Sequence, residues 1–95
     1  MTLAIYLRDI TRDQSKFLVE VQHETDDDYI EDAQMKKIFK EFIERAETQL
    51  PIKSKKVDVW VGVWLNESQF TLEFPIEFLN LVSKNNWKVT FDLND

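Results

Sequence analysis

Residues 20–32, EVQHETDDDYIED, gather the groups whose types and spacing come nearest to chemistry. His23 is the only imidazole in the chain, and Glu20 or Glu24 could in principle tune it as a general base. The two-residue period of the surrounding strand, however, turns His23 inward at the strand's end, beside an acidic loop. That placement fits a structural or solvated histidine. Asp26, Asp27 and Asp28 are oxygen donors of the kind that hold divalent cations. They lack the spacing and the turn glycine of a calcium loop, and adjacent side chains do not all converge on one ion. No cysteine is present, which removes thiolate nucleophiles, thiolate metal sites and disulfides. The single glycine, Gly62, excludes glycine-rich phosphate loops, which need several glycines for close backbone approach. The expectation is a protein that is not an enzyme, with no catalytic residue, metal or cofactor.

The same segment carries more meaning as an electrostatic field. It holds seven acidic and no basic residues, a charge of −7, while the remaining 11 acidic and 12 basic groups sum to +1. The net charge of −6 is therefore local. Such a segment repels nucleic acid and anionic lipid and attracts a cationic surface. Asp28, Glu31 and Asp32 are explained by the positive end of a following helix. Glu24, Asp26 and Asp27 are not, because charge beyond the cap only adds self-repulsion.

A second constellation is VDVWVGVWLNE, residues 57–67. A half-buried strand shows one apolar and one polar face. Here Val57, Val59, Val61, Val63 and Leu65 make one face, yet the other still carries Trp60 and Trp64 around Gly62. Either the protein covers these indoles itself, or a second copy does, or they anchor a partner, since tryptophan and tyrosine dominate interface energetics. Nucleic acid is disfavoured as that partner. Lys53, Lys55 and Lys56 form the only basic cluster, too little for phosphate-driven affinity beside so much acid.

These groups must be positioned by a small set of elements. Residues 2–8 alternate as a strand, with Leu3, Ile5 and Leu7 on one face and Tyr6 on the other. After the turn region DITRDQ, residues 16–23 form a second strand with Phe17, Val19 and Val21 inward and Leu18 outward, closing an antiparallel hairpin. Met35, Ile38, Phe39, Phe42, Ile43, Ala46 and Leu50 define a helical stripe over about residues 29–49, opened by an Asp28/Glu31 capping box and stopped by Pro51. The tryptophan strand then turns at NESQ, 66–69, into a strand over 70–74, with Phe70, Leu72 and Phe74 on one face. Pro75 takes the first position of a short helix, and Asn85 and Asn86 suit its left-handed exit. WKVTFDL, residues 87–93, is the last strand.

The expected fold is a single α+β domain, residues 1–95, with a mostly antiparallel five-stranded sheet, two helices on one face and the order β-β-α-β-β-α-β. The bare face would carry Tyr6, Leu18, Trp60 and Trp64 among Lys16, Glu73, Lys88 and Asp92. No apolar run approaches the length of a membrane span, and the short apolar start ending at Arg8 lacks the basic lead of a secretory signal, so the expected location is cytoplasmic.

The stretch VWVGVWLNESQFTLEFPIEFLNLVSKNNWKVTFDLND resembles small bacterial immunity-type domains that guard a cell against protein toxins. The resemblance covers roughly residues 57–93 and implies a compact, acidic, non-enzymatic inhibitor that covers a toxin, commonly a basic nuclease. Such domains have no catalytic motif to carry over. The residues expected to meet a basic toxin or nuclease domain are Glu24, Asp26, Asp27, Asp28, Glu31 and Asp32, with Tyr6, Trp60 and Trp64 supplying apolar area. The alternatives are a phage-type nucleic-acid mimic, and a structural adaptor or homodimer with no inhibitory role. The mimic predicts carboxylates spread along a surface, whereas these are bunched.

Overall fold

The computed structural model describes residues 1–11, 15–53, 56–66 and 70–94. The expected turns over 12–14 and 67–69, and Lys55 of the basic cluster, lie outside the described residues. The elements are β1 (Thr2–Asp9), β2 (Lys16–Glu24), α1 (Asp32–Glu47), β3 (Val57–Trp64), α2 (Ile76–Lys84) and β4 (Lys88–Asn94). They form a four-stranded sheet in the order β2-β1-β3-β4, in which β1 is antiparallel to both neighbours and β4 runs parallel to β3.

One face of the sheet makes the core. Leu3, Ile5, Leu7, Val59, Val61 and Val63 are fully buried there, under Phe39 and Phe42 of α1 and Phe78 of α2. The helices meet through these rings: Phe78 lies 5.0 Å from Phe39 and 5.8 Å from Phe42, both edge-on, the arrangement aromatic quadrupoles favour. Both helices therefore cover the same face, as the apolar stripes require.

Four expectations change. The sheet has four strands, not five, because residues 70–74 pair with no strand. A tight hairpin after β3 would have placed them at its open edge, but β4 occupies that edge in parallel, which demands a crossover over the sheet face. Residues 70–74 are the first leg of that crossover. Phe70, Leu72 and Phe74 still pack against the core, with Phe74 5.4 Å from Phe78 and 5.9 Å from Phe39. Their alternation reported one-sided burial of extended chain, not strand pairing, and Glu73 is consequently not on the bare face.

The second change is a β-bulge. Leu7 pairs with Val19 but Arg8 pairs with Phe17, so Leu18 is left between them. The extra residue turns Phe17 to the bare face and Leu18 toward the core, the reverse of the simple alternation. Third, α1 starts at Asp32 with Glu31 at the cap position and no side-chain cap bond, so the expected Asp28/Glu31 capping box is not formed. Asp28 instead accepts the backbone N–H of Asn66 at 2.9 Å. Pro75 likewise sits one residue outside α2, at its N-cap. The left-handed exit is present at Asn86, with φ 56°, and the N–H of Trp87 closes the turn onto the Val82 carbonyl at 2.9 Å.

Candidate protein-interaction face

Strand register lays out the bare face as rows across β2, β1, β3 and β4. Glu24, Thr2, Trp64 and Asn94 share the row nearest the acidic loop; Gln22, Ala4, Gly62 and Asp92 follow; then come Glu20, Tyr6, Trp60 and Thr90. Three rings stand side by side across the strands. Phe17 stacks on Tyr6 at 4.9 Å and Tyr6 on Trp60 at 5.2 Å, with planes inclined by 14° and 5°. Those separations are close to the strand spacing of about 4.8 Å, so each ring rises from its own strand and leans on the next. Trp64 closes the array at 5.7 Å from Trp60, tilted by 58°.

Gly62 makes this packing fit. An added Cβ would stand 2.6 Å from Cζ3 and 2.9 Å from Cζ2 of Trp60, so the indole lies along β3 directly over the glycine backbone. The need is for space, since the φ of Gly62 is not positive. The Arg8 guanidinium lies 5.9 Å from the Trp60 ring centroid, within cation–π range. Arg8 also grips Asp58 with two bonds, Nε to Oδ1 at 2.8 Å and Nη2 to Oδ2 at 2.6 Å. Asp58 is only 2% exposed, and a carboxylate so buried needs such a partner. The hydrogen bonds to Asp58 hold the Arg8 pKa above its ordinary value, with burial opposing and charge attraction adding to them. The Tyr6 hydroxyl accepts from Gln22 Nε2 at 2.6 Å.

The question of what covers the tryptophans thus has two answers. Trp60 is half-buried by Tyr6, Trp64, Arg8 and the Gly62 backbone. Trp64, at the end of the strand, remains 39% exposed, and Phe17 at the other end of the array is 48% exposed. Tyr6 has a ring against each side, which leaves it no open face on which a base could stack.

The acidic segment is fastened to the Trp64 end of the sheet. The Met1 ammonium donates to the Thr25 carbonyl at 2.7 Å and lies 3.7 Å from Asp28 Oδ1. The Thr25 N–H returns a bond to the Met1 carbonyl at 2.9 Å, and Asn66 Nδ2 reaches the Asp26 carbonyl at 3.2 Å. Bonds from the start of β1 and from just past β3 therefore hold the loop. Glu24, Asp26, Asp27, Glu31 and Asp32 are exposed and have no ion-pair partner among the described residues. On the helix side, Asp28, Asp32 and Glu73 line a cleft whose walls include Tyr29, Ile30, Met35 and Phe70. Carboxylates beside apolar side chains suit the head and stem of a lysine or arginine.

The structure brings Glu24 and Trp64 into one row, two strands apart, while Tyr6 and Trp60 lie further along the sheet. Phe17, Arg8 and Asp58 were not anticipated here: Phe17 is turned outward by a bulge that leaves no mark in composition, and Arg8 meets Asp58 only through strand register. His23 lies on the helix-side row opposite Leu3, whereas Glu20 and Glu24 are on the bare face, so the acid–base grouping is not assembled. Among the described residues no group of three His, Asp or Glu side chains converges to hold a metal ion. None of the described helices is long and apolar enough to cross a membrane. No family model matches the chain, and comparison with curated proteins and with solved structures likewise finds no match.

Proposed function

We propose that this is a cytoplasmic, non-enzymatic protein-binding inhibitor, an immunity protein that neutralises a cationic, nuclease-type toxin by laying segment 24–32 over its phosphate-binding site. One observation carries the reading: exposed carboxylates without ionic partners among the described residues are pinned by backbone bonds at the end of the sheet that exposes Trp64. Unpaired like charge held in a fixed loop costs stability through self-repulsion, and that cost is offset when a positive surface docks on it. The neighbouring indole supplies the desolvated anchor that charge alone lacks. The carboxylates are bunched at one end and do not run along the sheet, which favours this reading over nucleic-acid mimicry.

The experiment is co-expression with the basic carboxy-terminal domain of a large secreted protein encoded beside this gene, followed by stopped-flow association of the purified pair. Wild type should restore growth and bind quickly at low salt. Asp26→Lys with Asp27→Lys should slow association roughly tenfold and flatten its salt dependence. Trp64→Ala should instead act on dissociation, at a cost of about 2 kcal/mol. Association rates unchanged by the double reversal at low salt would remove the basis of the proposal.

A further inference from the structure

The two edges of the sheet are not alike. β2 is interrupted by its bulge at Leu18, and Arg45 Nη1 of α1 caps the Glu20 carbonyl at 2.7 Å. Bulges and covering side chains are the usual means of keeping an edge from pairing. β4 has neither. It pairs with β3 without a register shift, and among the described residues no side chain is hydrogen-bonded to its backbone. On its helix side Phe91 is 47% and Leu93 53% exposed, although their partners across the ladder, Val61 and Val63, are fully buried.

The direction of the free backbone groups follows from one bond. Leu65 N–H donates to the Asn94 carbonyl at 2.9 Å, so Asn94 aims its backbone at β3. By alternation Lys88, Thr90 and Asp92 do the same, and Val89, Phe91 and Leu93 present N–H and C=O to the open edge.

We infer that β4 pairs antiparallel with β4 of a second copy about a two-fold axis at Thr90, joining two sheets into one. The sequence of β4 is complementary to itself in that register. Val89 falls opposite Phe91 of the second copy, each pair exchanging hydrogen bonds, and Leu93 falls opposite Trp87. On the other face Lys88 falls opposite Asp92, twice by symmetry, in the closely approaching non-hydrogen-bonded positions. Lys88 and Asp92 are both exposed and have no ion-pair partner among the described residues. Moving the axis to Phe91 sets Lys88 opposite Asn94, and moving it to Asp92 sets that carboxylate against itself, so charge selects Thr90. A two-fold contact of this kind closes after two copies and does not grow into a filament. Both bare faces then lie on the same side of the joined sheet.

Charge reversal tests this without touching the core. Sedimentation of wild type should give twice the 11.4 kDa chain mass. Lys88→Asp alone, or Asp92→Lys alone, places like charges opposite each other twice and should weaken the dimer roughly tenfold or more. Mixing the two single variants restores both opposite-charge pairs and should recover a heterodimer of wild-type strength, an outcome that a folding defect does not produce. Amides of Val89, Phe91 and Leu93 should exchange more slowly in the dimer than in either single variant. Wild type that stays monomeric up to roughly 0.5 mM would overturn the inference. So would single variants that dimerise as tightly as wild type, which would place the contact on another surface, the tryptophan face included.

Discussion

Gly62→Ala is the sharpest test of how the aromatic face is built. The new methyl would collide with the Trp60 ring, 2.6 Å from Cζ3 and 2.9 Å from Cζ2, where contact between carbons is comfortable at about 3.5–4.0 Å. Cη2 lies closer still, so the indole must move by more than about 1 Å and leave its 5.2 Å stack on Tyr6. Overpacking of this kind costs about 1–3 kcal/mol, and the lost ring pair about 0.5–1.5 kcal/mol more. Against this, the Gly62 φ is not positive, so alanine gains about 0.4–1 kcal/mol by restricting the unfolded chain. The net expectation is a loss of about 2 kcal/mol, read from urea denaturation, with a weaker near-ultraviolet circular dichroism signal from the displaced indole. In a Trp60→Ala background the collision disappears, and Gly62→Ala should become neutral or stabilising by about 0.5 kcal/mol. An equal loss in both backgrounds would refute the argument that Gly62 exists to seat Trp60.

Other perturbations probe the remaining supports. Arg8→Met should cost about 3 kcal/mol in chemical denaturation, because it strands the buried Asp58 carboxylate, while Arg8→Met with Asp58→Leu should recover much of the loss. With its pKa raised by the bonds to Asp58, the Arg8 guanidinium stays charged through the alkaline range, and its contribution falls away only beyond it. A lysine starts from about 10.4 when unfolded, so the stability gap between wild type and Arg8→Lys should widen as pH rises past that point. Asp28→Ala removes the acceptor of the Asn66 N–H and should cost about 1–2 kcal/mol and speed hydrogen exchange at that amide. Phe78→Ala empties the junction of Phe39, Phe42 and Phe74 and should cost about 3–5 kcal/mol by thermal or urea unfolding.

Read alone, the residues were enough for the α+β class, both helices, the inward rows of β1 and β3, the β1–β2 hairpin and the left-handed exit after α2. Each follows from local periodicity or from one residue's backbone preference, and these act within a few positions of the chain. Tertiary structure decided the rest. Whether 70–74 joined the sheet depended on β4 taking the edge of β3 in parallel, a competition between segments far apart in sequence. Phe17 turned outward because of register across a strand pair, and Asp28 left the helix cap because Asn66, 38 positions away, offered a backbone donor. The candidate face divides in the same way: the acids and indoles stand out by type, but the meeting of the acids with Trp64 at one end of the sheet arises from the order β2-β1-β3-β4, which sets the end of β3 beside the start of β1. Periodicity tells which side of a segment seeks cover; only packing settles what provides it.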